Sequence, residues 1–301
     1  MKRLNYMLLL GIGLIWGSQF FFVDLVIGNI TPITLAASKA VLGTITLAVL
    51  YLFTGKKEST PLPTGTWKSF ILIGLFEAVV PFVLIGWGQQ YINSSTASIL
   101  LGSIPIFTIV FVKIFVPSEK VSWQKWLSVL IGFAGLCLLF APDLSSTSLA
   151  GKGSFIGYAA LLGAAVSFAA SLLLIKRLPP ISSILAMRNV LLLASVVLVP
   201  LAFIFEDPMH LHLSGQQVLY VIILGVFHAG LVYMLYNTLV RRTGAAFTSL
   251  TNYLVPLFGI LLGTLILGDH LAWTSIAALV VILASLAIGE LSGSAKVKQA
   301  G

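Results

Sequence analysis

The sequence predicts an all-α membrane protein, with ten transmembrane helices arranged as two inverted five-helix repeats. Three observations lead there: a composition too apolar for water, a one-sided distribution of basic residues, and a duplicated residue pattern. Of 301 residues, 58% are hydrophobic and only 9% charged, with a mean hydropathy of +1.07. A soluble chain carries roughly 25% charged residues, so this one lacks the polar surface to dissolve. Strands crossing a bilayer would alternate with period two, and no such alternation is present. Helices, which pair their backbone groups within one segment, are the expected spanning element.

Each helix needs about 20 apolar residues to cross the hydrocarbon core. Gly, Pro, Ser and charges divide the chain into ten such runs. The first five cover 4–27, 32–53, 67–91, 94–116 and 123–140, and the second five 155–175, 181–205, 217–240, 245–267 and 271–288. The run after Met1-Lys2-Arg3 is too long for a signal peptide and shows no cleavage site, so it is expected to stay as the first helix. With the N-terminus cytoplasmic, 13 basic residues fall on cytoplasmic segments: Lys2, Arg3, Lys56, Lys57, Lys68, Lys120, Lys125, Lys176, Arg177, Arg241, Arg242, Lys296 and Lys298. Lys152 alone falls outside, where the loops carry Asp143, Glu206, Asp207 and Asp269. The positive-inside rule then places both ends in the cytoplasm and the protein in the inner (plasma) membrane.

The same rule accounts for the net charge of +8. No basic run with interleaved aromatics appears, so no nucleic-acid partner is expected. The single Cys137 permits no internal disulfide. His210 and His212 beside Glu206 and Asp207 lack further ligands at fixed spacing, so no metal site is expected. No glycine-rich phosphate loop follows a strand, and no nucleophile is paired with a base; the sequence implies no cofactor and no enzyme.

The duplication is internal. Phe76-Glu77-Ala78 and Phe227-His228-Ala229 stand 151 positions apart, as do Pro105 and Pro256, and Ala97-Ser98-Ile99 matches Thr248-Ser249-Leu250. Glu119 and Trp123 align with Asp269 and Trp273 at an offset of 150, and Thr31-Pro32-Ile33-Thr34 parallels Pro179-Pro180-Ile181-Ser182. The predicted units are 4–142 and 150–291, followed by a cytoplasmic tail, 292–301. Five is odd, so the second unit inserts upside down relative to the first, the arrangement typical of secondary transporters.

Trp16-Gly17-Ser18-Gln19-Phe20, then Pro32 and Lys39 seven residues later, resemble the opening of EamA-type members of the drug/metabolite transporter superfamily. Gly268-Asp269-His270-Leu271-Ala272-Trp273 resembles that family's closing GExLxW, and Ser118 to Trp123 is a weaker first-half counterpart. The resemblance spans roughly residues 4–290. It implies two inverted units around a central cavity and transport, commonly export, of amino acids or other small metabolites. Asp24 stands where many members carry Lys, a departure at the outer mouth.

Ionisable groups deep in apolar runs are costly and mark functional sites. Glu77 lies about 15 Å along its helix, near mid-membrane, and His228 lies at a similar depth in the equivalent helix. The pair could bind and release protons as access alternates; hydrogen bonding between helices is the structural alternative. Lys39 and Asp24 are a candidate ion pair across the first hairpin. Pro105 and Pro256 are expected to kink the fourth and ninth helices and free carbonyls. Beside them Ser98, Gly102, Asn252 and Tyr253 are candidate substrate contacts, with close helix packing as the alternative. Trp16, Gln19, Phe20 and Trp87 are candidate lining of an aromatic, weakly charged cavity suited to amphipathic or aromatic solutes; the interfacial aromatic belt is the other reading for Trp87. The expected function is a secondary transporter moving a small molecule outward by alternating access, coupled to protons, as monomer or homodimer in contact with membrane lipid. A non-transporting scaffold or sensor is the alternative.

Overall fold

The computed structural model describes residues 2–53, 62, 63, 65–92, 97, 100–116, 121–139 and 152–262, together with 273, 276–278, 280–282, 284, 285 and 288. Among these every regular element is a helix. In chain order they are α1 (Lys2–Asp24), α2 (Pro32–Phe53), α3 (Thr66–Gly88), α4 (Ile104–Phe115) and α5 (Trp123–Leu139). The second half contains α6 (Lys152–Lys176), α7 (Ser183–Phe205), α8 (Gly215–Thr243), α9 (Ala245–Thr248) and α10 (Thr251–Leu262). Six of them, α1, α2, α3, α6, α7 and α8, are long and apolar enough to cross a membrane. Of the predicted tenth helix, 271–288, ten of eighteen positions are described, and all ten are helical.

α2 and α7 pack along each other at the centre. Thr44 Oγ1 meets Ser195 Oγ at 3.4 Å, and these two residues are 151 positions apart. The hydroxyl residues preceding α2 and α7, Thr31 and Ser182, share that offset. The register read from the Pro-Ile pairs, Thr31 on Pro179, is therefore three residues off. Pro32 opens its helix, whereas Pro179 and Pro180 lie in the turn ahead of α7.

The free backbone donors at the start of α2 are met from the other half. Glu206, directly after α7, takes hydrogen bonds from the N–H groups of Ile33 (3.0 Å) and Thr34 (2.7 Å). The hydroxyls of Thr34 (2.7 Å) and Thr31 (2.5 Å) also donate to it. A carboxylate here also faces the positive end of the helix dipole.

α3 and α8 each lean on the central helix of the opposite half through a glycine. A Cβ on Gly74 would lie 3.0 Å from the carbonyl oxygen of Val190 in α7, and one on Gly225 would collide with Leu42 in α2. Small residues at these crossings let backbones approach closely.

Directly after each glycine, α3 and α8 widen into a π turn, Leu75–Val79 and Val226–Leu231. Periodicity predicts plain helices there, because one inserted residue leaves the apolar pattern intact. π turns cluster at functional sites.

Glu206→Ala should cost about 1–3 kcal/mol by leaving several donors at the start of α2 unpaired, read as a lower melting temperature of the purified protein. Gly225→Val should destabilise by a further 1–3 kcal/mol or so through overpacking against Leu42.

Candidate functional site

The π turn in α3 contains Glu77, and that in α8 contains His228; both side chains are buried. Pro81, one turn on, has no N–H, and the π turn shifts the hydrogen-bond register by one residue, so together they leave the carbonyls of Phe76 and Glu77 without a helical donor. Both are satisfied by the second half: Ser167 Oγ of α6 donates to Phe76 O (2.7 Å) and the Tyr233 hydroxyl of α8 to Glu77 O (3.0 Å).

The two titratable side chains each hold a serine on the first helix of the opposite half. Glu77 Oε2 is bonded to Ser171 Oγ of α6, which also contacts the carbonyl of Phe168 (2.8 Å). His228 Nε2 lies 2.9 Å from Ser18 Oγ of α1, which also contacts the carbonyl of Ile15 (2.8 Å). His228 Nδ1 donates to Ile223 O (3.2 Å), since a carbonyl only accepts. In both relays the serine has one proton and two acceptors to serve. Glu77 Oε1 has no hydrogen-bond partner among the described residues.

Beside these relays lies a small cavity of about 30 Å³, room for a few waters. Trp16, Gln19 and Phe20 of α1 form one side of it and Phe168 of α6 another. The rest comes in pairs 151 positions apart: Phe82 with Tyr233, Ile85 with Tyr236, Leu101 with Asn252, and Ile104 with Val255. The Phe82 and Tyr233 rings meet edge-on at 5.9 Å, and Trp16 packs edge-on against Tyr236 at 4.7 Å. Behind the wall Lys39 Nζ donates to Gln19 Oε1 (3.1 Å) and sits 4.2 Å from the centre of the Phe82 ring.

The helices bounding this cavity are interrupted. Gly102 and Ser103 form a turn ahead of α4, and Ser249 and Leu250 form one between α9 and α10.

A family model matches residues 3–141 and, a second time, 155–288. The chain belongs to the EamA-like transporter family. It is similar to an uncharacterized transporter of Archaeoglobus fulgidus, with 22% identity over 91% of this chain and 94% of the relative. It is likewise similar to the uncharacterized inner membrane transporter YedA of Escherichia coli K12, with 24% identity over 94% of this chain and 90% of the relative. A solved crystal structure of another protein, 18% identical, superposes with a TM-score of 0.78 over 97% of this chain and 98% of that one. Family and fold together make this EamA protein a multi-pass membrane protein of the transporter type.

Of the residues singled out from the sequence, Trp16, Gln19, Phe20 and Asn252 line the cavity. Gly102 is buried at the break before α4, and Ser98 lies outside the described residues. Trp87 is instead 41% exposed and stacks edge-on against Tyr91. Tyr253 turns away, donating to Val129 O of α5 (2.7 Å). Pro105 does not kink a continuous helix: it stands in the first turn of α4, where its missing N–H costs nothing. Pro256 lies within α10. Lys39 and Asp24 are not brought together; Lys39 has Gln19, while Asp24 Oδ1 accepts from Gln89 Nε2 (3.3 Å). Helix α1 ends at Asp24, which separates that side chain from the depth of Lys39.

Phe82, Ile85, Tyr233 and Tyr236 were not singled out, although a signal existed. Carrying the repeat offset past Glu77 and His228 pairs all four, at i and i+3 on one helix face.

Tyr233→Phe should cost about 1–3 kcal/mol by orphaning the Glu77 carbonyl. Tyr253→Phe should cost a similar amount of stability while leaving ligand binding unchanged, measured by melting and by titration of the same samples.

Proposed function

We propose that this EamA protein is a secondary transporter that exports small organic solutes, amino acids or amphipathic and aromatic compounds, by alternating access. In this reading ten helices form two inverted repeats, 4–142 and 150–291, with 292–301 as a tail and both termini on the cytoplasmic side of the inner membrane. One observation carries it. Eight of the twelve residues lining the cavity fall in pairs 151 apart; one of these pairs, Phe82 with Tyr233, touches, and so do Thr44 and Ser195 at the same offset between α2 and α7. A residue that touches its own counterpart lies near the axis exchanging the two halves. A cavity on that axis belongs equally to both, as a site open first to one side and then to the other requires.

The relays support proton coupling through Glu77 and His228. When His228 is protonated, Nε2–H donates to Ser18 Oγ, freeing the Ser18 proton for Ile15 O, and every group in the relay is paired. When it is neutral, Ser18 must give its proton to Nε2 and leave Ile15 O. Ser171 faces the same choice between the Glu77 carboxylate and Phe168 O. Each relay thus stores a proton at the contact between one half's third helix and the other half's first.

Vesicles reconstituted with the protein should move at least one of a broad panel of amino acids and aromatic solutes faster than empty vesicles; no flux across the panel would end this reading. Collapsing the proton gradient should abolish accumulation. Replacing Glu77 by Gln and His228 by Gln together should cut gradient-driven uptake at least about tenfold. With Cys137 replaced by Ser, cysteines at Lys56 and Arg241 should label from the same side, and labelling from opposite sides would refute the inverted topology.

A further inference from the structure

The observation with most left to explain is Lys39. It is 4% exposed, on α2, and the hydrogen-bonding partner of its Nζ is the neutral amide of Gln19. Among the described residues no carboxylate forms a salt bridge with it. A buried ammonium that meets only a neutral oxygen and the face of a phenyl ring is poorly compensated. Two of its three N–H groups have no protein acceptor among the described residues.

Gln19 points to what is missing. Because an ammonium cannot accept, the Gln19 oxygen must face Lys39, which leaves the Nε2 donor on the other branch of the amide. That donor has no partner among the described residues, and Gln19 lines the cavity. The Gln19 amide offers its donor at the cavity wall, and the Lys39 amine stands directly behind it against the Phe82 ring, with Phe20 beside them. The complement is one compact anion attached to an apolar body.

We propose that Lys39 and Gln19 form the anion subsite of the cavity and that the solute is an organic monocarboxylate with an aromatic or branched apolar body. The carboxylate accepts from Lys39 Nζ and Gln19 Nε2, and the body lies among Trp16, Phe20 and Phe82. A single ammonium without an arginine fork suits one carboxylate better than a doubly charged phosphate. The inference rests on the cavity being the transport site, and it adds the charge that the solute must carry.

The test is titration of the full-length protein in lipid nanodiscs with matched pairs that differ only in the head group. Phenylacetate against phenylacetamide is the first pair, and isovalerate against isovaleramide the second; phenyl phosphate is the doubly charged comparison. At least one carboxylate should bind about tenfold or more tightly than its amide. Lys39→Met should remove that preference, and Lys39→Arg should keep part of it. Gln19→Glu gives the lysine an internal partner, so it should raise the melting temperature and lose carboxylate binding; it serves should Lys39→Met fail to fold. Equal binding within every pair, preference for phenyl phosphate, or a preference that survives both Lys39→Met and Gln19→Glu would overturn the proposal. Vesicle flux separates the two readings: flux of amides or amines without carboxylate preference sinks the subsite and leaves transport, whereas preference in nanodiscs with no flux in vesicles does the reverse.

Discussion

In lipid a backbone carbonyl that loses its helical donor must find another within the protein, because no water replaces it. Pro81 and the π turn ahead of it create two such carbonyls in the middle of α3, and the donors that satisfy them, Ser167 and Tyr233, both belong to the second half. The defect in one half is therefore repaired by the other. α8 follows the same plan with different chemistry, its π turn bringing His228 onto Ser18 of the first half. The two halves are tied at the level where each carries its buried ionisable group, so a proton arriving at either group changes a contact between halves.

The duplicated wall has diverged in one direction. Phe82, Ile85 and Leu101 in the first half are apolar, while their counterparts Tyr233, Tyr236 and Asn252 are polar. Two identical halves would give a cavity with the same chemistry on both sides of the axis. Divergence leaves one apolar wall and one hydrogen-bonding wall, an amphipathic lining. The first half adds a second asymmetry, since Lys39 and Gln19 have Val190 and Ala170 at the same offset.

Apolar runs placed the long helices well: α2, α3 and α7 begin within two residues of the expected positions. Their ends are set by proline, by glycine and by hydroxyl caps, all local signals. The site was legible where a residue is out of character for lipid, as with Gln19 and Asn252 at the cavity and Glu77 and His228 in the relays beside it. It was illegible where apolar or aromatic side chains do the lining, because Phe82 in a membrane helix looks the same whether it faces lipid or a solute. Tyr253 and Trp87 failed for a related reason. Both are aromatic and amphipathic, and which way a helix face turns is set by packing, here Tyr253 against Gly132, rather than by residue type. The π turns were hidden as well, since widening a helix by one residue needs no particular sequence once a neighbour supplies the hydrogen bonds.

The size of the cavity limits how it can work. With room for about two waters, it holds no metabolite without expansion. The surrounding contacts show where expansion costs least. Across the cavity the halves meet through ring edges, Phe82 on Tyr233 and Trp16 on Tyr236, worth about 0.5–1.5 kcal/mol each beyond their buried area. At the start of α2 Glu206 holds that helix with four hydrogen bonds, and α2 and α7 run in extended contact beyond it. The weakest ties between the halves are thus the ring edges at the cavity, while Glu206, Ser167 and Tyr233 supply hydrogen bonds between them. The helices next to the weak ties, α4 and the α9–α10 pair, are those already broken, at Gly102-Ser103 and Ser249-Leu250. Both broken segments pack away from α2 and α7, so a displacement of either leaves the contacts of the central seam in place.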